Sequence, residues 1–210
     1  MSDELKRDAA LWISTTGLRH WRGEDAKIYN RTESTPYKGL DKLFEEYKVY
    51  ENDAFVDFGA GRGRTSFYVH DEFGIDVSGV ELHELTFDEL MKNEERYLRN
   101  KGLTSSNLYF EFGYAENYKI QPQDTIFYFF NPFASSIFQE VVENIQNSLE
   151  KNPRMADLIL YYPENSFKRI MKKTKFKRIK TVRLPWKKDP KKKFIIYRYD
   201  PDNYSDELAE

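Results

Sequence analysis

An apolar run, Ala54-Phe55-Val56-Asp57-Phe58, passes directly into Gly59-Ala60-Gly61-Arg62-Gly63-Arg64, and Thr65 to Glu72 then suits a short helix. Glycines at alternate positions between a strand and a helix allow a tight turn and a close backbone approach to a ligand. The amides opening the helix add partial positive charge. Such a turn belongs at the carboxyl end of a strand in a parallel α/β sheet, where ligands of open sheets bind.

The rest of the chain fits that frame. Pro36 opens a helix to about Lys48, with Leu40, Leu43, Phe44 and Tyr47 on one face. Asp76 to Glu81 reads as a strand and Glu84 to Asn100 as a long helix that Gly102 ends. Leu108 to Phe112 and Thr125 to Phe130 read as strands, the latter apolar enough to be covered on both faces. Residues 136 to 150 form an amphipathic helix, Asp157 to Tyr162 a fifth strand, Ser166 to Lys173 a short helix, and Phe176 to Leu184 with Phe194 to Tyr199 a closing hairpin. Alternating strands and helices predict a Rossmann-like, doubly wound, mostly parallel seven-stranded sheet with helices on both faces and a C-terminal antiparallel hairpin at the edge opposite the second strand. No internal repeat or long flexible linker divides the chain, and 210 residues suit one core.

Composition removes several classes of function. Without cysteine there are no disulfides, thiolate metal sites or cysteine nucleophiles. The three histidines, His20, His70 and His83, show no metal-ligand spacing and read as surface or helix-end residues, so no metal is expected. No apolar run approaches the roughly 18 residues of a membrane span. The start of the chain also lacks a basic stretch leading into an apolar one, so a cytoplasmic protein is the expectation.

The dinucleotide fingerprint G-x-G-x-x-G requires glycine at position 64, where Arg64 stands, which disfavours a nicotinamide-dependent oxidoreductase. Asp57-x-Gly59-x-Gly61-x-Gly63 instead resembles the first motif of the class I S-adenosylmethionine (SAM) dependent methyltransferases. The resemblance spans about residues 29 to 199 and implies that the glycine loop passes under the methionine part of SAM, with Asp57 organising its polar end. It also implies that Glu81, ending the second strand, accepts the ribose hydroxyls, and that Gly113-Tyr114-Ala115 after the third strand borders the adenine. Tyr114 stands where the family commonly has Asp; the ring can stack on the base or cover it. Thr35-Pro36-Tyr37, with Tyr29 upstream, resembles the segment closing over the methionine end, where aromatic rings suit a sulfonium. Phe129-Phe130-Asn131-Pro132-Phe133 resembles the Asn-Pro-Pro-aromatic signature of methylation at planar nitrogen, with one proline. Asn131 would accept from an NH2 group and border the cofactor, and Phe133 would stack on the acceptor.

The resemblance therefore implies methyl transfer from SAM, giving S-adenosylhomocysteine, to an acceptor for which the motif favours nitrogen on RNA or protein. A small-molecule methyltransferase and a non-catalytic SAM- or RNA-binding module are the alternatives. Residues 1–50 are expected to cap the cofactor site, 51–199 to form the SAM-binding domain, and 200–210, with five acids and no base, to be a disordered tail. Residues 168–193 hold 14 basic side chains and one acid. With Phe176, Trp186 and Phe194 interleaved, that segment reads as a contact for RNA or an acidic protein, or as an edge hairpin kept soluble by lysine.

Overall fold

The computed structural model of the chain describes residues 1–184 and 189–202. Seven strands form one sheet: β1 (Ala54–Phe58), β2 (Asp76–Glu81), β3 (Leu108–Phe112), β4 (Ile126–Phe130), β5 (Ala156–Tyr161), β6 (Lys177–Arg183) and β7 (Lys193–Tyr199), in the order β3-β2-β1-β4-β5-β7-β6. The first five are parallel, and β7 runs antiparallel to both β5 and β6. The edge opposite the hairpin is β3, with β2 one strand inside it. The hairpin tip at 185–188, with Trp186, and the expected tail from 203 onward lie outside the described residues.

Helices α1 (Asp3–Ala10), α2 (Tyr37–Glu46), α3 (Arg64–Phe73), α4 (Glu84–Lys101), α5 (Ser135–Lys151) and α6 (Asn165–Met171) cover the sheet. Strand side chains alternate between faces, which divides the core in two. Phe55, Val77, Tyr128, Ile159 and Ile196 meet α2, α3 and α4 on one face, whereas Val56, Phe127, Leu158 and Ile195 meet α5 and α6 on the other. β1 and β5 are buried throughout, so their near-continuous apolar runs follow from being covered twice.

Helix α1 has no counterpart among the elements read from the sequence. It is eight residues long and mostly polar, and a buried polar cluster holds it. Asp8 accepts from Thr15 N–H (2.7 Å), Thr15 Oγ1 (2.8 Å) and Tyr37 Oη (2.8 Å). Arg64 lies 3.4 Å from the same carboxylate and pairs with Glu4. It also donates from Nε to Thr15 Oγ1 (2.7 Å) and from Nη1 to the Thr35 carbonyl (3.3 Å). A second tie comes from Asn93 of α4, fully buried, which accepts from Ser14 N–H (2.9 Å) and donates to the carbonyls of Ser14 and Arg62.

Removing one partner of a buried, hydrogen-bonded charge pair costs about 3–5 kcal/mol because the other charge stays buried. Arg64→Met is therefore expected to lower the unfolding free energy by about 3 kcal/mol or more. Chemical denaturation checks this, and a loss below about 1 kcal/mol would show that the network carries little.

Candidate functional site

The carboxyl ends of β1, β2 and β4 define the site. Asp57 and Glu81 lie on neighbouring strands, and the turn after β1 folds back so that the amides of Gly59 and Ala60 donate to the Val80 carbonyl at 2.9 and 3.0 Å. Gly59, Gly61 and Gly63 all have positive φ (79°, 58° and 87°), a conformation that only glycine adopts without strain. A Cβ at Gly59 would lie 2.5 Å from Pro132 Cβ, and one at Gly61 would lie 3.1 Å from Thr32 Cγ2. The two glycines thus keep a wall open between the turn, the end of β4 and the N-terminal segment. Gly63 does a different job. It ends the turn against Phe67 and Leu90 and does not line the cleft.

That cleft encloses about 740 Å³, part of it open to solvent. Asp57, Gly59, Gly61, Glu81, Gly113, Ala115, Thr35 and Phe133 line it, so the structure brings together residues read from separate segments of the sequence. Glu81 accepts Gly61 N–H and His83 N–H, each at 2.8 Å, one on each carboxylate oxygen. Burial raises the Glu81 carboxyl above its ordinary range, and those amide bonds oppose the rise. Asp57, fully enclosed, is pushed up to about 7 by burial; the hydrogen bond from Ser66 Oγ (3.0 Å) lowers it and the charge of Glu81 raises it.

Residues 17–35 form the other wall. Arg19 and Thr32 close this strap on itself with paired backbone bonds of 3.2 and 2.8 Å. Glu89 of α4 anchors it by accepting from Arg19 and Arg62, both at 2.6 Å. The far end is joined to the tip of β4: Asn30 N–H donates to the Pro132 carbonyl (2.9 Å), and Ala134 N–H to the Ile28 carbonyl (2.6 Å). Trp21 contacts the rings of Tyr29 and His83, both at 4.8 Å.

Tyr37 and Tyr114 stand outside this cleft, and Phe133 lines it from a buried position. Tyr37 is wholly buried off the cleft; its hydroxyl serves Asp8, and the guanidinium groups of Arg7 and Arg64 lie 4.4 and 4.6 Å from its ring. The ring does meet cations, but they are the protein's own. Tyr114 is half exposed and outside the cleft, because the backbone of Gly113 and Ala115 forms the wall there. Phe133 reaches the wall but is only 3% exposed and packs edge-on against Phe129, so it has no free face for stacking. His70, read as a surface or helix-end residue, is in the last turn of α3 yet buried, between Tyr97 Oη and Asn107 Oδ1 at 2.7 Å each.

Asn131 faces a second cleft, which shares Trp21, Tyr29, Asn30 and Phe130 with the first. Its φ is +41°, its carbonyl accepts from Asn30 Nδ2 (2.9 Å), and its Oδ1 is buried without a partner. A buried acceptor left unpaired costs about 1–3 kcal/mol. Tyr162, just after β5, also has positive φ (+53°) and lines the same cleft with Tyr161. Strain of this kind, about 1–3 kcal/mol per residue, concentrates at functional positions. Trp21, Tyr162 and Arg64 were not legible as site residues in the sequence, since their places in the clefts depend on contacts between distant segments.

No family model matches the chain, and no curated protein sequence matches it. Solved structures do. An RNA methyltransferase from Salinibacter ruber, determined with S-adenosylhomocysteine, is 18% identical with a TM-score of 0.56, the match covering 80% of this chain and 94% of that one. A SAM-dependent methyltransferase from Aquifex aeolicus is 12% identical with a TM-score of 0.57, covering 76% of this chain and 88% of the other. The chain therefore has the class I SAM-dependent methyltransferase fold. Among the described residues, no cluster of side chains suits a metal ion, and no helix is long and apolar enough to cross a membrane.

Asp57 takes up a proton more readily folded than unfolded, so the native state binds more protons between about pH 4 and 7 and stability falls as pH rises through that interval. Asp124, which burial raises to about 6, acts in the same direction. Asp57→Asn is expected to flatten part of this decline, measured as the denaturation midpoint against pH. An unchanged slope would place the Asp57 carboxyl in the ordinary range.

Proposed function

We propose that the chain is a SAM-dependent methyltransferase acting on a nitrogen acceptor carried by RNA or protein. The observation that carries this reading is the junction of the two clefts: the glycine turn and Glu81 on one side, the unpaired Asn131 Oδ1 on the other, with Phe130 common to both. The residues present suit SAM. Glu81 offers two acceptor positions to ribose hydroxyls, and the Gly61 turn, which a Cβ would fill, leaves room beneath the methionine end. Gly113 and Ala115 border the adenine, and residues 1–50 cap the cofactor site. Bound there, SAM supplies a methyl carbon activated by a positive sulfur.

The chain's own task is then alignment and exclusion of water. Asn131 Oδ1 accepts from the acceptor's N–H and orients its lone pair toward the cofactor cleft. Stacking falls to Phe130 and Tyr162 rather than to Phe133, since both line the Asn131 cleft and are only partly buried. The strap over residues 17–35 shields the junction from solvent. Asp57 in its ionised form offers a counter-charge to the cationic end of the cofactor, so affinity rises as pH increases through about 7.

Calorimetric titration with SAM and S-adenosylhomocysteine tests the cofactor half. Micromolar binding, about −8 kcal/mol, is expected, with Gly61→Arg abolishing it and Glu81→Ala weakening it by about tenfold or more. Absence of binding by the folded wild-type chain would remove the proposal. Asn131→Ala tests the catalytic half: SAM affinity is expected to hold while methyl transfer to RNA or protein extracts falls about a hundredfold. Transfer unchanged in that variant would move the acceptor site elsewhere. Wild-type protein that binds SAM but transfers no methyl would favour the non-catalytic module.

A further inference from the structure

The two faces of the β6 edge are electrostatically unlike. On the face covered by α2, Lys180 pairs with Glu46, and Arg198, which stands opposite Lys177, makes a bidentate pair with Asp157 at 2.8 Å on each arm. A register shift between Arg178 and Lys180 sends the next basic side chains to the other face. There Arg178 stands opposite Tyr197, and Arg183 stands directly opposite Lys193, side by side with Ile195 and Tyr197 of the core beneath α6. Like charges directly opposite each other on paired strands are destabilising. Lys168 of α6 adds a fourth cation, its only described bond being to Asn165 Oδ1 (3.0 Å). Among the described residues none of Lys168, Arg178, Arg183 and Lys193 has a carboxylate partner. Burial, reinforced by the charges of Lys168, Arg183 and Arg178, holds the Lys193 ammonium below the ordinary lysine value.

Lysines that only guard an edge strand against pairing have no need to gather beside an opposed arginine and a helix lysine on one face with no carboxylate among them. The crowded face is also continuous with two concavities. Lys192 and Lys191, the latter paired with Glu164 at 3.0 Å, stand at the Asn131 cleft, whose rim also carries Asp189 and Glu33, and Arg169, Lys172 and Lys173 line a groove between α5 and α6 with Ser135 and Ser166. Cations leading to a cleft walled by Trp21, Tyr29, Phe130, Tyr161 and Tyr162 match a ligand that alternates phosphate with planar rings. An acidic peptide satisfies the charges but leaves the aromatic wall unexplained.

We propose that this face is the backbone track of a single-stranded polynucleotide whose base enters the Asn131 cleft. The track itself rests on the charge distribution; the fate of the base rests on the methyltransferase reading. Phosphates lie along Lys168, Arg183 and Lys193, and the aromatic walls take up the base.

Fluorescence anisotropy of the full chain with short labelled single strands of RNA and of DNA, over a range of salt, tests this. Each neutralised phosphate adds about −0.7 to the slope of log affinity against log salt. Lys168→Gln/Arg183→Gln/Lys193→Gln is expected to reduce the slope by about 2 and the affinity about tenfold or more, while Lys180→Gln on the face covered by α2 changes it less than about twofold. The charge-retaining Lys168→Arg/Lys193→Arg variant should bind as wild type, and SAM titration of the triple Gln variant should be unaltered. The RNA and DNA arms show which sugar is preferred, and tighter binding to either strand than to a poly-glutamate peptide supports the track. Equal binding by wild type and the triple variant, or capture of poly-glutamate but neither strand, overturns it. A wild-type chain that binds SAM but no strand removes the track and leaves the methyltransferase reading intact. One that binds strands through these residues but no SAM does the reverse.

Discussion

A guanidinium in the first turn of a helix opposes that helix's own dipole, so Arg64 at the start of α3 needs compensation. Asp8, Glu4, Thr15 and the Thr35 carbonyl supply it, and every one of them belongs to the N-terminal segment. The helix that opens on the glycine turn therefore also holds the chain that forms the cleft's other wall. Because Arg64 is only 4% exposed, its charge cannot be left to water, and the segment is fixed in one arrangement. Strap, turn and β4 tip follow from that fixture: Glu89 joins Arg62 of the turn to Arg19 of the strap, and the strap in turn bonds to Pro132.

The sheet places the chemistry by register. Asp57 lies opposite Gly79 on one side and Tyr128 on the other, so the polar ends of three strands meet at one level. Tyr128 Oη lies 2.7 Å from Thr35 Oγ1, which joins the interior of the sheet to the N-terminal segment. Two strained residues, Asn131 and Tyr162, follow neighbouring strands and point the site toward β5 and the hairpin rather than toward β3. The glycine-turn cleft and the cationic face thus lie on the two sides of Asn131, one reached through the glycine turn and the other through Lys191 and Lys192.

Much of this was legible in the sequence because it is local. β1, β2 and β3 fall at Ala54–Phe58, Asp76–Glu81 and Leu108–Phe112, as their apolar pattern predicts, and Gly102 caps α4 in the left-handed conformation. The glycine turn and Glu81 came from motif and spacing, and both line the cleft. What escaped the sequence depends on distant partners. Helix α1 is short and mostly polar and is held by a cluster whose members lie far apart in the sequence. Arg64 registered only as a missing glycine, although its side chain secures the N-terminal segment. The resemblance placed Tyr37 at a sulfonium, yet two arginines already stand at its ring, and Phe133 is buried edge-on against Phe129. The asymmetry of the hairpin is equally hidden, since a one-residue register shift decides which face each cation joins.

The central claim is that a nucleoside cofactor lies between the glycine turn and the strap with its ribose on Glu81. A crystal structure of the complex with S-adenosylhomocysteine tests it most directly. The account predicts both ribose hydroxyls on the Glu81 carboxylate, the homocysteine end over Gly59 and Gly61, and the sulfur directed toward Asn131. A ligand lodged in the groove between α5 and α6, or one whose ribose leaves Glu81 untouched, would contradict it.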